Sequence, residues 1–249
     1  MTEASNKADY GPDYGIDAPH VIRNLVLGAV ALTVLCLLLP KVTIGPVVLL
    51  LFPGLLWSAG FMLIGPLLMI LYSKVGKFRH RDRMLAQVSW TGAERVLDVG
   101  TGRGLLLIGA AKKLTNGKAT GLDIWNQEDL TGNNLQNLER NIAAEGVGAK
   151  TDVVNEDVQK MTFPDGTFDV IVSLACLHNI YNAPGRAEAC RQIARVLKPG
   201  GVAVISDFRN IGEYVAAFTK AGLEAQKLPL GFDTFPPMRI LTARKAKTG

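Results

Sequence analysis

Read for the placement of apolar and polar positions, the 249-residue chain divides into three parts. Residues 1–20 are polar and acidic: Glu3, Asp9, Asp13 and Asp17 stand against Lys7 alone. Residues 21–40 carry one charge, Arg23, and residues 44–72 contain no Asp, Glu, Lys, Arg or His. Neither apolar run has the polar stripe of a helix packed on a soluble core. Each reaches the about 20 residues that a helix needs to cross a bilayer. With only residues 41–43 between them, the two runs predict a transmembrane helical hairpin. Pro46, Pro53 and Pro66 interrupt the second run. A kink at Pro53-Gly54, a tilt or an interfacial end would absorb its surplus length.

From about residue 84 the pattern changes to short apolar runs alternating with amphipathic ones, which predicts a mostly parallel α/β sheet. Strands are expected at 95–99, 118–124, 149–154, 167–174, 202–207 and near 224–229 and 238–244. Helices are expected at 104–114, from the end of the second strand to about 145, at 185–197 and at 211–221. "LKPGG" (197–201) reads as a Pro-Gly turn into the fifth strand. The expected organisation is therefore a tail (1–20), a membrane hairpin (21–73) and an α/β domain (74–249).

Charge fixes the orientation. Lys41 alone lies at one end of the hairpin, whereas Lys7, Arg23, Lys74, Lys77, Arg79, Arg81 and Arg83 lie at the other. By the excess of Lys and Arg on cytoplasmic flanks, both termini and the α/β domain belong in the cytoplasm, in a bacterial-type inner or plasma membrane. The basic residues at 74–83 then read as a stop-transfer flank among anionic head groups. Their use on nucleic acid is disfavoured, because no aromatic for base stacking is interleaved except Phe78. A cleaved signal peptide fits poorly, since acidic residues precede the first run and no A-x-A site follows it. The tail sequence "YGPDYGIDAP" repeats Tyr-Gly-x-Asp at Tyr10 and Tyr14. Either it is mobile or it orders as a flap over a pocket. The three cysteines are scattered and read as reduced thiols, and three distant histidines without a C-x-x-C argue against a metal site.

The chemistry starts at "RVLDVGTGRG" (95–104). Gly100, Gly102 and Gly104 follow a strand and open a helix, where glycine permits positive φ and close approach of the backbone to a ligand. A dinucleotide fingerprint from Gly100 would need glycine at 105, where the chain has Leu105. The spacing G-x-G-x-G after Asp98, with "TGLD", "NEDV", "FDVIVS" and "RVLKPGG" in that order, resembles the class I S-adenosylmethionine-dependent methyltransferases over roughly residues 84–249. The resemblance implies a Rossmann-like, seven-stranded, mostly parallel domain. It also implies S-adenosylmethionine as cofactor, with Asp98, Gly100, Thr101, Gly102 and Gly104 around its methionine part. Asp123, with Ile124 beside it, would take the ribose hydroxyls, and Asp157 and Val158 the adenine. Ser173 belongs to the same implied set.

The acceptor pocket is expected beyond the carboxyl ends of strands four and five. There His178, Tyr181 and Asp207 are the candidate catalytic residues, His178 because histidine titrates near neutrality. His178 acts as a base or only lines the pocket. The chain lacks the Asn-Pro-Pro-Tyr run of relatives that methylate nucleobase or glutamine nitrogens. A cytoplasmic domain on a membrane hairpin points to a lipophilic acceptor: a quinone or phenolic prenyl lipid, another isoprenoid, or a phospholipid amine. Methylation of a membrane-proximal protein, and a non-catalytic cofactor-binding module, remain open. The sequence gives no oligomeric state.

Overall fold

The computed structural model describes residues 11–126 and 130–247. Tyr10, the first tyrosine of the tail repeat, lies outside them. Helix α1 (Pro19–Leu38) is followed by an antiparallel hairpin of β1 (Lys41–Ile44) and β2 (Val47–Leu50). Helix α2 (Gly54–Leu71), one π turn (Tyr72–Gly76) and α3 (Lys77–Leu85) then continue as a single helical rod. The β-hairpin replaces the expected helical start at Ile44. Its cause is local: β-branched Val42, Thr43, Ile44, Val47 and Val48 favour strands, and they flank a two-residue turn whose Gly45 takes φ +56°.

Along α1 and α2 the apolar side chains point outward. Leu27 is 58% exposed, Trp57 78% and Phe61 76%. Residues Pro19–Leu38 and the 32-residue Gly54–Leu85 are long and apolar enough to cross a membrane. The residue 73/74 boundary expected between hairpin and α/β domain falls inside the unbroken rod, at the π turn. Such turns interrupt regular helices where something else must fit. Here Gly76 faces the loop after β8, and a Cβ on it would collide with the carbonyl oxygen of Asp233.

The α/β domain follows: β3 (Arg95–Val99), α4 (Leu105–Ala111), β4 (Lys118–Asp123), α5 (Leu135–Ala144), β5 (Thr151–Asn155), β6 (Phe168–Leu174), α6 (Ala183–Val196), β7 (Leu197–Asp207), α7 (Ile211–Lys220), β8 (Leu223–Leu230) and β9 (Arg239–Lys245). The seven strands are ordered β5-β4-β3-β6-β7-β9-β8, with only β9 antiparallel to its neighbours. The chain winds one way from β3 to β5 and the other way from β6, so the switch point lies between β3 and β6. That crevice is where ligands of such sheets bind. The central strands are buried on both faces, which explains their continuous apolar runs. Val96, Val170 and Val204 pack on one face with Leu107 of α4, and Leu97, Ile171 and Ile205 pack on the other with Ile193 of α6 and Phe218 of α7.

Two expectations shift. Helix α5 begins only at Leu135, because Asn134 caps it by accepting from Asn137 N. The segment "LKPGG" is the start of β7, bulged so that pairing jumps from Phe168–Leu197 to Val170–Val202.

The basic cluster also divides. Lys74 and Arg79 are exposed, as a head-group flank requires. Lys77 is 3% exposed, and its Nζ donates to Tyr14 O (2.8 Å), Gly15 O (2.7 Å) and Asp17 Oδ2 (3.2 Å). Arg83 turns inward to Asp233 Oδ1 (2.9 Å). Lys77 thus ties down residues 11–18, of which Tyr14 is buried edge-to-face on Phe78 and donates its hydroxyl to Glu145 Oε1 (2.8 Å). This ordered strap has the flap conformation rather than that of a free tail.

Candidate active site

One cavity of about 890 Å³ collects most of the residues singled out by sequence. Its floor is the turn from β3 into α4, where Gly100, Gly102 and Gly104 have φ of +72°, +53° and +88°. The tight turn is enforced by packing as well as by φ. A Cβ on Gly100 would collide with Cys176 Sγ, and one on Gly104 would lie 2.5 Å from Leu138 Cδ1.

Asp98 lies beneath this turn, 1% exposed, its Oδ2 accepting from Thr101 Oγ1 (2.9 Å) and Leu107 N (2.8 Å). Burial pushes its carboxyl up to about 7 against those two hydrogen bonds, with Asp123 adding to the rise. Asp123 closes β4 and also lines the cavity, with Oδ2 accepting from Gly102 N (2.7 Å) and Oδ1 from Trp125 N (2.7 Å). Two backbone N–H groups therefore fix the plane of its carboxylate. Ile124, Asp157 and Val158 line the same cavity, and Asp157 Oδ1 accepts from Gln159 N (2.8 Å).

At the β6 and β7 end stand His178 and Tyr181. His178 Nδ1 lies 2.8 Å from Asp207 Oδ1, an electrostatic contact rather than a formed hydrogen bond, and its ring packs on Phe208 with centroids 4.5 Å apart. Tyr181 is 92% exposed, at the rim. Asp207 is 1% exposed and stands behind His178, accepting from His178 N (3.2 Å), Phe208 N (2.8 Å) and Tyr214 Oη (3.2 Å). Asp207 is not among the residues that line this cavity. Ser173 is likewise internal, and its hydroxyl donates to Val99 O (2.8 Å). It staples β6 to β3 across the switch point.

Sequence reasoning passed over three cavity residues. Arg103 sits inside the glycine turn, and its Nη2 donates to Asp13 Oδ2 (2.9 Å) of the strap. Asn133 is 6% exposed and its Oδ1 is a buried acceptor with no hydrogen-bond partner among the described residues. Cys176 is partly buried, and desolvation together with Asp123, Asp207 and Asp98 raises its thiol above the usual range. Tyr14, Asp17 and Ala18 form the strap's wall of the cavity. The "GNN" of 132–134 was the available signal for Asn133, but an apolar-period search reads it only as helix.

These residues suit S-adenosylmethionine. The positive-φ turn, bare of Cβ atoms at three positions, lets the backbone approach a ligand closely. Two carboxylates on adjacent strands face a cationic amphiphile with a diol, and the unspent Asn133 Oδ1 provides one more acceptor. Among the described residues no cluster of His, Cys, Asp or Glu offers a metal site.

Known proteins agree with this geometry. Residues 96–201 match the family model described as a methyltransferase domain. The demethylmenaquinone methyltransferase of Tropheryma whipplei is 34% identical over 128 residues, covering 51% of this chain and 47% of that protein. The sterol 24-C-methyltransferase of Gibberella zeae is 34% identical over 140 residues, covering 55% of this chain and 33% of that one. The chain spans half or less of the length of these curated relatives. In fold it resembles the [4+2]-cyclase SpnF, with a TM-score of 0.55 at 18% identity over 69% of this chain and 82% of the other. Motif order, strand order and family match converge on one stretch: residues 96–201 are similar to a methyltransferase domain.

Proposed function

We propose that the protein is a membrane-anchored S-adenosylmethionine-dependent methyltransferase acting on a lipophilic or amphipathic small molecule, such as a quinol or phenolic prenyl lipid, another isoprenoid or a phospholipid amine. The observation that carries this reading is that one cavity holds both the cofactor-type residues Asp98 and Asp123 and apolar side chains of the outward-facing hairpin. Curated relatives named for a demethylmenaquinone and a sterol support a lipid acceptor. Fold alone would not, since a cyclase shares it. The exposed apolar faces of α1 and α2 support insertion in a membrane.

When bound, S-adenosylmethionine supplies a methyl group already activated on a sulfonium. The chain's own task is therefore to position, desolvate and, for a hydroxyl acceptor, remove a proton. Asp123 fixes the diol end and Asp98 answers the positive charge. The glycine turn brings backbone dipoles close, and the strap held by Lys77 excludes water. Because His178 Nδ1 is turned to Asp207, Nε2 is the nitrogen that takes an acceptor proton, and Phe208 holds the ring in place.

The test is incubation of the full-length protein with methyl-tritiated S-adenosylmethionine and a total membrane lipid extract, with Asp123→Ala in parallel. Label in the organic phase that vanishes in the variant establishes a lipid methyltransferase. Label that stays with protein after delipidation assigns a protein acceptor. Cofactor binding without any transferred label reduces the domain to a binding module.

A further inference from the structure

We infer that the seam between α1 and α2 is a tail-binding site, so that the acceptor is a single-chain amphiphile that reaches the active site sideways from the apolar phase around the hairpin. The inference rests on the methyltransferase reading and adds what that reading leaves open: how the acceptor is held and which part of the chain selects it.

The geometry is asymmetric along the helix pair. At Gly28 a Cβ would come within 2.8 Å of Met62 Cε, so there the helices are in full contact. One turn nearer the α/β domain, a Cβ on Gly65 would lie 3.5 Å from Leu25 Cδ1, with room for a methyl-sized group. The seam therefore loosens toward the catalytic domain. From this turn onward its residues Val21, Leu25, Gly65 and Met69 belong to the same cavity as Asp98, Asp123 and His178. Tyr72, buried at 6%, and Met238 carry the apolar wall on toward the catalytic end.

The rod is tied to the sheet domain at three points. His80, fully buried, joins its Nε2 to Ser206 Oγ (2.7 Å), Arg83 reaches Asp233, and Gly76 is pressed against the same loop. The seam is thus a fixed extension of the active site. Its apolar lining, continuous with the cavity, suits a hydrocarbon or isoprenoid tail, with the reacting polar head directed to His178. A tail taken directly from a bilayer is never transferred through water, so the groove selects by shape rather than by hydrophobicity.

The variants Gly65→Leu and Met69→Trp fill the seam, and Leu67→Trp adds comparable bulk on an outward face that is 66% exposed. Methyl transfer into the total lipid extract is expected to fall about tenfold or more in the first two, as for misfit in an apolar pocket. It should be unchanged in Leu67→Trp, with S-adenosylmethionine affinity intact in all three. A second arm does not depend on turnover. A phenol with a diazirine-bearing farnesyl tail is photolysed with the full-length protein in phosphatidylcholine nanodiscs, and adducts are mapped by mass spectrometry. Adducts at Leu25 and Met69 that Gly65→Leu removes support the site. Adducts confined to outward residues such as Trp57 and Phe61, or lipid methylation by wild type that both seam variants retain, overturn it. Wild type that methylates no lipid refutes the lipid-acceptor reading instead, and the adduct map then still decides whether the seam binds a tail.

Discussion

Leu27 and Leu107 are the same side chain on two helices of one chain. The first, on α1, is 58% exposed, and the second, on α4, is completely buried. The sheet domain behaves as an aqueous protein, hiding its apolar residues on both faces of a seven-stranded sheet. The hairpin turns Trp57, Phe61 and Leu67 outward and buries little besides Ala29, Cys36, Ala59 and Met69. Apolar residues thus follow opposite rules within 249 residues. The joint between the two regions is polar and contains Lys77, His80 and Arg83. There Lys77 Nζ and His80 Nε2 have hydrogen-bond partners and Arg83 reaches Asp233, while Arg83 Nε has no partner among the described residues.

The comparison can be pressed at four points. The largest effect belongs to the site. Asp123→Ala removes a carboxylate suited to two hydroxyls, each such charged bond being worth about 1.5–3 kcal/mol. Cofactor affinity by calorimetry should drop about 100-fold or more, while hairpin insertion stays unchanged. A Kd within a few-fold of wild type would remove Asp123 from the binding account.

The second point sets the two leucines against each other. Leu107→Ala should cost about 2–5 kcal/mol in denaturant unfolding, by loss of burial and creation of a cavity. Leu27→Ala should stay within about 0.5 kcal/mol, as for a residue with no packed partner. Comparable losses would mean that α1 is a core helix covered by something else.

Third is the joint. Lys77→Met leaves the carbonyls of Tyr14 and Gly15 without their donor, at about 1–3 kcal/mol for a buried unsatisfied group. Released residues 11–18 should become cleavable in limited proteolysis while the domain stays folded. A strap as protected as in wild type would show that Tyr14 alone holds it.

The smallest effect is a pH dependence. Burial holds the Asp98 carboxyl at about 7, so in the free domain it is protonated below that pH and charged above it. A cationic ligand favours the charged form. Affinity for S-adenosylmethionine should be full above about pH 7 and fall toward tenfold per unit below it, with a proton released on binding. A flat profile from pH 6 to 8 would mean that Asp98 keeps one charge state throughout.

Much of this was legible in sequence because it is locally encoded. All seven sheet strands follow from apolar runs and glycine turns, and the cradle of Gly100, Gly102, Gly104, Asp98 and Asp123 sits on adjacent βα turns. What stayed hidden depends on long-range pairing. The strap needs Tyr14 to meet Phe78 and Glu145, and no periodicity links positions so far apart. Lys77 looked like one more head-group cation until the chain folded acceptors around it. The contacts of Asp207 with His178 N and Tyr214 Oη were likewise invisible in its position after strand five. The β-hairpin at residues 41–50 was missed for a different reason. Hydropathy counts Val47 and Val48 toward a membrane span and is blind to the Gly45-Pro46 turn between β-branched flanks.

The claim that hairpin and buried site form one unit is tested most directly by asking where the acceptor must be. Full-length protein is reconstituted in phosphatidylcholine vesicles, and the membrane lipid extract is incorporated either into those vesicles or into separate ones. Transfer from methyl-tritiated S-adenosylmethionine is then compared. The account requires label in lipid of the protein's own bilayer and little in the separate vesicles. Equal labelling of both populations would show that the acceptor arrives through water and that the hairpin is no part of the catalytic unit.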